Sequence, residues 1–453
     1  MNRKKKIHDI MKISIPLMIQ GLVFQLQSLT DKAFLGNLDT RFVSAVGAAQ
    51  MPYFAVSESM VAICLGVAII TANLVGAGKK DGISRYVKSA SFFGTILGLG
   101  LFFFWMSGAH SVLAAFKVDE AVIGYGVQYI QICAGFFLVL GIDAALQAAL
   151  TGQGETKIIM YAGMLKVGLN IVLSWILIFG HFGFPALNVA GAAIGTLLSN
   201  LFSFFYLLIY CCHKKKEEFK LFVWDKEYLD FRTYGQMIKL GIPAGMEVFL
   251  WHGSNLILVR FINSFSYLDM AVYTLVFGMQ CFVIVFFGSN SKAAMTLIGQ
   301  CIGAGEGKRA DRYFNITLVL NLLMISIFTL CFFLFPERLL HIFSGDEEVL
   351  KTGVFYLKLA GIIVFPQSMN ILCGNAIRAH GDTKWMLYSQ ILGSIEVVGL
   401  SVVFIEWAGM GIISIYITLF LDEAIRGSIN YFYYKKKYGK AEGVIQGKTF
   451  KSV

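Results

Sequence analysis

The chain is poor in charge and in proline. Charged residues fill 15% of its 453 positions and there are only 6 prolines, whereas a soluble globular domain carries roughly 25% charged residues. So little charge excludes an ordinary solvated surface and a self-repelling disordered chain. So little proline excludes Pro-rich linkers between modules. Cysteine occurs eight times, at 64, 133, 211, 212, 281, 301, 331 and 373, scattered through apolar runs without the loop clustering of a disulfide framework or the spacing of a zinc site. Cys211, Cys212 and His213 read as a helix terminus rather than a metal site. GAGKK and GAGEGK lack the GxxxxGK pattern followed by Ser or Thr, and neither HExxH nor GxSxG occurs. The sequence therefore offers no phosphate-binding loop, metalloprotease helix or nucleophile elbow.

What is abundant is apolar. Hydrophobic residues make up 57% and aromatics 14%, and runs such as SFFGTILGLGLFFFWM and ITLVLNLLMISIFTLCFFLF approach the roughly 20 residues a helix needs to cross a bilayer. About twelve such spans fit the chain. They must be helices, because a barrel would show alternating segments of about 10 residues. The fold class expected is an all-α integral membrane protein. The net charge is +10, but the bases crowd into alternate loops, MNRKKK, GKKDGISRYVK, HKKKEEFK, GKRADR and YKKKYGK, with Lys and Arg facing anionic headgroups. That pattern predicts cytoplasmic termini and an even number of spans rather than a nucleic-acid partner. The first apolar segment has no small-residue cleavage site and reads as a retained helix.

The chain is written twice. Ile15-Pro16 recurs as Ile242-Pro243, VGAGKKDGISRY as IGAGEGKRADRY, FKVDEAV as FSGDEEV and GETK as GDTK, each pair 227 residues apart (16 to 243, 75 to 302, 116 to 343, 154 to 381). One shared offset implies two homologous six-helix lobes. The expected division is 1–211 for the amino-terminal lobe, 212–232 for a cytoplasmic linker, 233–434 for the carboxy-terminal lobe and 435–453 for a basic tail. Two parallel lobes about a cavity suit alternating access. With no nucleotide site, an ion gradient is the natural driving force.

Ionisable residues at membrane depth are expensive, and so are functional candidates. They are Asp31, Glu58, Asp143 and Lys166, then Glu247, Arg260, Lys292, Glu396 and Glu423, with Lys32 and Arg426 placed to snorkel to an interface. Asp31 lies beyond Pro16, where the helix lacks one backbone bond, so a titratable group follows a candidate hinge. The competing reading is that Asp31 pairs with Lys32 or reaches the outer interface. Lys166, Asn170 and Ser174 share one helix face, with Asp143 the natural partner of Lys166, as a working group or as a structural ion pair. Glu247, Trp251 and Ser254 form a second face, a carboxylate beside an aromatic of the kind that holds organic cations.

TDKAFLG, GAGK, GQGETK, LNIVLSWILIFG followed by FGFPALNVAGAAIGT, and IRAHGDTK together resemble the multidrug and toxic compound extrusion (MATE) family over nearly the whole chain. The resemblance implies twelve helices in two lobes, a V-shaped cavity, and export of organic cations in exchange for H+ or Na+, with no other cofactor. Asp31 matches the family's first-helix acid and Pro16 its bending proline, while Asn170 and Thr196 match polar residues of an amino-lobe cation site. The chain departs from the pattern where Ser174 stands for a second acid with Lys166 nearby, where Trp251 stands for a seventh-helix Glu, and where Gln367, close to Asn370, stands for a tenth-helix Asp. Fewer carboxylates favour H+ over Na+ as coupling ion. The expectation is an antiporter in the cell's inner membrane, acting as a monomer on organic cations. The alternatives are a flippase for lipid-linked oligosaccharides and, from another class, a membrane-embedded receptor or enzyme.

Overall fold

The computed structural model describes residues 3–116, 118–221, 223, 225–343 and 345–439. Residues 440–453 of the expected basic tail lie outside the described residues, as does the side chain of Lys32. Fourteen long helices follow one another: α1 (Arg3–Gly36), α2 (Thr40–Ile63), α3 (Leu65–Gly76), α4 (Ile83–Ala115), α5 (Glu120–Ala134), α6 (Phe137–Gln153), α7 (Thr156–Phe179), α8 (Asn188–Lys214), α9 (Phe231–Asn263), α10 (Tyr267–Gly303), α11 (Gly307–Leu334), α12 (Glu347–Ala379), α13 (Thr383–Val402) and α14 (Ile413–Lys437). No strand occurs among the described residues. Helices α2 and α3 meet at Cys64 as one long span, and α5 and α6 form one span bent by 54°. Twelve spans result. Ten of these, counting the bent pair, are long and apolar enough to cross a bilayer. The other two, α9 and α14, have 33 and 25 residues and the necessary length, but their ionisable residues lower their hydropathy.

Local chemistry sets the helix ends. Asp39, Ser266 and Asp346 cap α2, α10 and α12 by accepting backbone N–H groups, the bond an N-terminus otherwise lacks. The duplication also reaches the backbone. Gly78 and Gly305 have φ of 72° and 75°, and Gly154 and Gly381 both have 80°. These are left-handed turns where only glycine is unstrained, and they sit in the repeated GAG and GETK/GDTK segments.

Packing divides the chain into two compact units, and the cut does not fall at the charged linker. One unit is Ile19–Gly245; the other joins the start of α1, up to Met18, to everything from Met246 onward. The two crossings lie inside continuous helices, two residues after Pro16 and Pro243. The start of α1 packs with the carboxy-terminal unit, where Tyr313 Oη donates to Asp9 Oδ2 at 2.8 Å. The start of α9 packs in the amino-terminal unit, where Tyr234 stacks on Phe93 at 3.7 Å. Glycines allow close approach there, since a Cβ at Gly66 would come within 2.8 Å of the Met237 carbonyl. Each unit has its own aromatic-rich core, around Tyr53, Trp105 and Phe137 in one and around Tyr273, Phe287 and Phe332 in the other.

The linker is strapped down. Lys88 of α4, expected to face headgroups, is instead fully buried and pairs with Asp225 and, at 3.2 Å, with Glu227. Ser84 Oγ donates to Glu227 at 2.9 Å and Tyr86 Oη to Gln236 at 2.7 Å. A buried ammonium cannot stay unpaired, so the linker's acids close over it.

Candidate functional site

In the amino-terminal unit, α1 runs alongside α7 in one register. Gln20 lies against Gly163, Lys166 Nζ sits 5.5 Å from the Phe24 ring centre, and Phe34 packs on Phe179. Gln27 and Asp31 of α1 and Asn170 and Ser174 of α7 lie on the stretches between those contacts. All four are buried. Asn170 Nδ2 donates to Thr196 Oγ1 of α8 at 3.2 Å, so the structure brings together two residues paired by sequence reasoning. A Cβ at Gly195 would stand 2.7 Å from Ser174 Oγ, which fixes α8 tightly against α7.

This cluster is rich in unused acceptors. Asp31 Oδ1, Asp143 Oδ1, Asn170 Oδ1, Ser174 Oγ and Gln27 Oε1 are buried without a hydrogen-bond partner. Buried polar atoms are nearly always satisfied, so this concentration makes the region the candidate site of the amino-terminal unit. The expected Asp143–Lys166 ion pair does not form. Asp143 Oδ2 instead accepts from Gln147 Nε2 at 2.7 Å, and Lys166 is electrostatically coupled to both Asp143 and Asp31 while forming an ion pair with neither. The reason is geometric: Gln147 lies one turn from Asp143 on the same helix, whereas Lys166 leans toward Phe24 on another. Helix α1 runs through Pro16 without a break.

The carboxy-terminal unit holds a small pocket with a cavity volume of about 40 Å³, whose lining includes Trp251, Tyr273, Phe277, Asp422, Glu423 and Arg426. Arg426 was expected to snorkel. Instead it is buried, with Nε and Nη2 on the two oxygens of Asp422 at 2.7 and 2.6 Å and Nη1 on Gln390 at 2.9 Å. Glu423 accepts from Asn370 Nδ2 at 2.8 Å and Gln367 Nε2 at 3.3 Å. Gln280 Nε2 in turn donates to Gln367 at 3.0 Å, and Asn430 Nδ2 to Asn370 at 2.9 Å. Gln367, which stands where the resemblance expects an acid, is thus hydrogen-bonded to a carboxylate supplied by α14.

Glu247 does not line this pocket with Trp251. It is paired with Arg378, from the IRAHGDTK segment, while Trp251 and Ser254 line the pocket. Glu58, Arg260 and Lys292 are exposed on their helices. Sequence reasoning missed Asp422 altogether. The available signal was the i, i+4 spacing of Asp422 and Arg426 inside an apolar helix, which forms an intrahelical pair.

Comparison with known proteins agrees with this architecture. The MatE family model matches residues 16–176 and 243–405, two segments that begin 227 residues apart. The probable multidrug resistance protein NorM of Thermotoga maritima is 25% identical over 438 residues, covering 94% of this chain and 91% of that protein. The uncharacterized transporter YisQ of Bacillus subtilis is 23% identical over 434 residues, covering 94% and 93%. Among solved structures, a MOP superfamily transporter from Pyrococcus furiosus superposes with a TM-score of 0.86 at 18% identity, covering 96% of each chain. With the family model matching in both halves of a twelve-span chain, the protein belongs to the MATE family and is a multi-pass membrane transporter, not an enzyme.

Proposed function

We propose that the protein is a secondary antiporter that exports organic cations from the cytoplasm in exchange for H+, by alternating access of its two lobes. One observation carries the reading: Asp31 is buried in α1 with Oδ1 unpartnered, in the same unit as the buried and unpartnered Asn170 Oδ1 and Ser174 Oγ of α7. A carboxylate so placed holds a proton or an organic cation but not both, and competition for one charge is the simplest basis of antiport. Relatives named as probable multidrug resistance proteins support the substrate class. A proton needs one oxygen, whereas a metal cation needs several, and Lys166 opposes a metal in the same field. The alternating loop charges support a reading with both termini in the cytoplasm, and we take the protein to act as a monomer in the cell's inner membrane. A flippase for an anionic headgroup is disfavoured, because the charges lining the pocket sum to −1 (Asp422, Glu423, Arg426).

The test is ethidium efflux in everted vesicles with H+ and Na+ gradients imposed separately. An H+ gradient should drive transport and a Na+ gradient alone should not. Failure of both gradients to drive any organic cation would defeat the reading.

A further inference from the structure

Each unit sets a buried tyrosine against the start of its proline-bearing helix. At the 227-residue offset Tyr86 corresponds to Tyr313 and Gln236 to Asp9. The two hydroxyls make the same bond, Tyr86 Oη donating to Gln236 at 2.7 Å and Tyr313 Oη to Asp9 at 2.8 Å. The corners are alike in structure and differ in charge. In the amino-terminal unit the bases beside the tyrosine are answered by the chain's own acids: Lys88 lies under Asp225 and Glu227, and Arg85 faces the charge of Asp230. In the carboxy-terminal unit Arg312 takes the place of Arg85, but Arg3 stands where Asp230 would be. A base replaces the acid.

Lys6 shows the consequence. It is only 4% exposed, and its ammonium makes no hydrogen bond or ion pair with any described residue. Arg312 and Arg309, one turn apart on α11, both repel it. The acids of this corner are engaged elsewhere: Asp9 accepts from Tyr313, Glu306 holds Arg309 at 2.7 Å, and Asp311 pairs with Lys435 at 2.8 Å. A covered ammonium is costly without a counter-ion, and here two guanidinium groups raise the cost. Lys88 shows how the same fold meets that need when it has acids to hand.

We propose that Lys6, Arg309 and Arg312 bind a phosphate group, supplied by an anionic phospholipid headgroup or by free phosphate. Lys6 is the point charge at the base of the site, and Arg312, exposed and unpaired among the described residues, is the fork that grips phosphate oxygens. Arg309, already held by Glu306, adds to the positive field. Exposed loop bases attract anionic headgroups in general; a covered ammonium beside two guanidinium groups fixes one phosphate. Bound there, the phosphate does for Lys6 what Asp225 and Glu227 do for Lys88, and it ties the start of α1 to the start of α11. The site is independent of what the protein transports.

The test is thermal unfolding of the purified, delipidated full-length protein in neutral detergent. It is titrated separately with inorganic phosphate, dihexanoyl phosphatidylglycerol and dihexanoyl phosphatidylcholine, with ionic strength held constant by chloride. Inorganic phosphate or phosphatidylglycerol should raise the midpoint saturably, and phosphatidylcholine should not. A response to phosphatidylglycerol alone assigns the group to a lipid, whereas a response to inorganic phosphate shows that the free ion suffices; either supports the site. Lys6→Met should unfold at a higher temperature than wild type without ligand, because an unpaired covered charge is gone, yet bind the effective probe on the order of tenfold more weakly. Arg312→Gln, an exposed change that serves if Lys6→Met does not fold, should weaken the probe to a similar extent. Arg3→Asp, which restores the acid found at Asp230, should weaken it by supplying a carboxylate from the chain itself. No stabilisation by either phosphate-bearing anion, equal stabilisation by phosphatidylcholine, or probe affinity within threefold of wild type in the folded Lys6→Met and Arg312→Gln variants would overturn the proposal. So would a ligand-free midpoint lowered by Lys6→Met, the mark of a purely structural lysine.

Discussion

Lys88→Met should release the charged linker segment while leaving the helices in place. Methionine keeps most of the side chain's length and apolar body, so the cavity term is small and the change isolates the charge. What is lost is the ammonium that Asp225 and Glu227 enclose, together with its approach to the Tyr228 ring at 5.5 Å. Breaking a fully buried pair costs about 3–5 kcal/mol. Here only the base is fully buried, and the two acids are 36% and 41% exposed, so water can take them back. Discounted for that screening, the loss is about 1–2 kcal/mol. Since every 1.4 kcal/mol is tenfold, opening of the linker should become about 5–30 times more frequent. Limited proteolysis reads this directly, because Lys215, Lys216 and Lys220 offer trypsin sites in the strapped segment. Cleavage between 214 and 230 should accelerate by that factor in Lys88→Met and return toward the wild-type rate in Lys88→Arg. A cleavage rate within twofold of wild type would show that the buried pair does not hold the linker.

Two further outcomes follow from particular contacts. Lys166→Met breaks no ion pair, so the protein should reach the membrane at near wild-type level, and in equilibrium binding the cycle with Asp143→Asn should show only the coupling of charges that are not in contact, about 1 kcal/mol or less; a coupling of about 3 kcal/mol would restore the direct pair. Between α12 and α13, burial pushes the Asp382 carboxyl up, but hydrogen bonds from Lys437 at 2.7 Å, Tyr433 at 2.5 Å and Tyr438 at 3.1 Å outweigh it and hold it below the usual carboxylate range. A depressed folded value contributes stability above the unfolded value, about 3.9, and loses it as pH falls through the folded one. Protection of the end of α14 from hydrogen exchange should therefore be flat from neutral pH down to about pH 5 and fall below about pH 4, and Asp382→Asn should remove that dependence.

Much of this molecule is legible from sequence because a bilayer leaves so few choices. Apolar runs of the right length must be helices, and four motif pairs in one register announce the duplication, down to the shared left-handed glycines. What pattern cannot supply is the partner of a buried charge. Asp143 and Lys166 looked complementary on paper, but Gln147 is closer to Asp143 and satisfies it first. Glu247 sat beside Trp251 on one helix face, yet Arg378, more than a hundred residues away, neutralises it. Gln367 suggested a missing acid, whereas α14 supplies one, Glu423, to which Gln367 is hydrogen-bonded. The division into units was hidden for a related reason. Repeats locate homologous segments, but only packing reveals that the first stretch of α1 belongs with the later chain and the first stretch of α9 with the earlier one.

The central claim is that Asp31 carries the exchange of cation for proton. Asp31→Asn preserves the shape of the side chain and removes its charge, so the protein should still insert and fold. Ethidium efflux by everted vesicles energised with an H+ gradient should then fall to the level of vesicles lacking the protein, while Asp31→Glu retains part of the activity. Efflux by Asp31→Asn at the wild-type rate across the range from pH 6 to pH 8, where an active carboxylate must exchange its proton, would contradict the account.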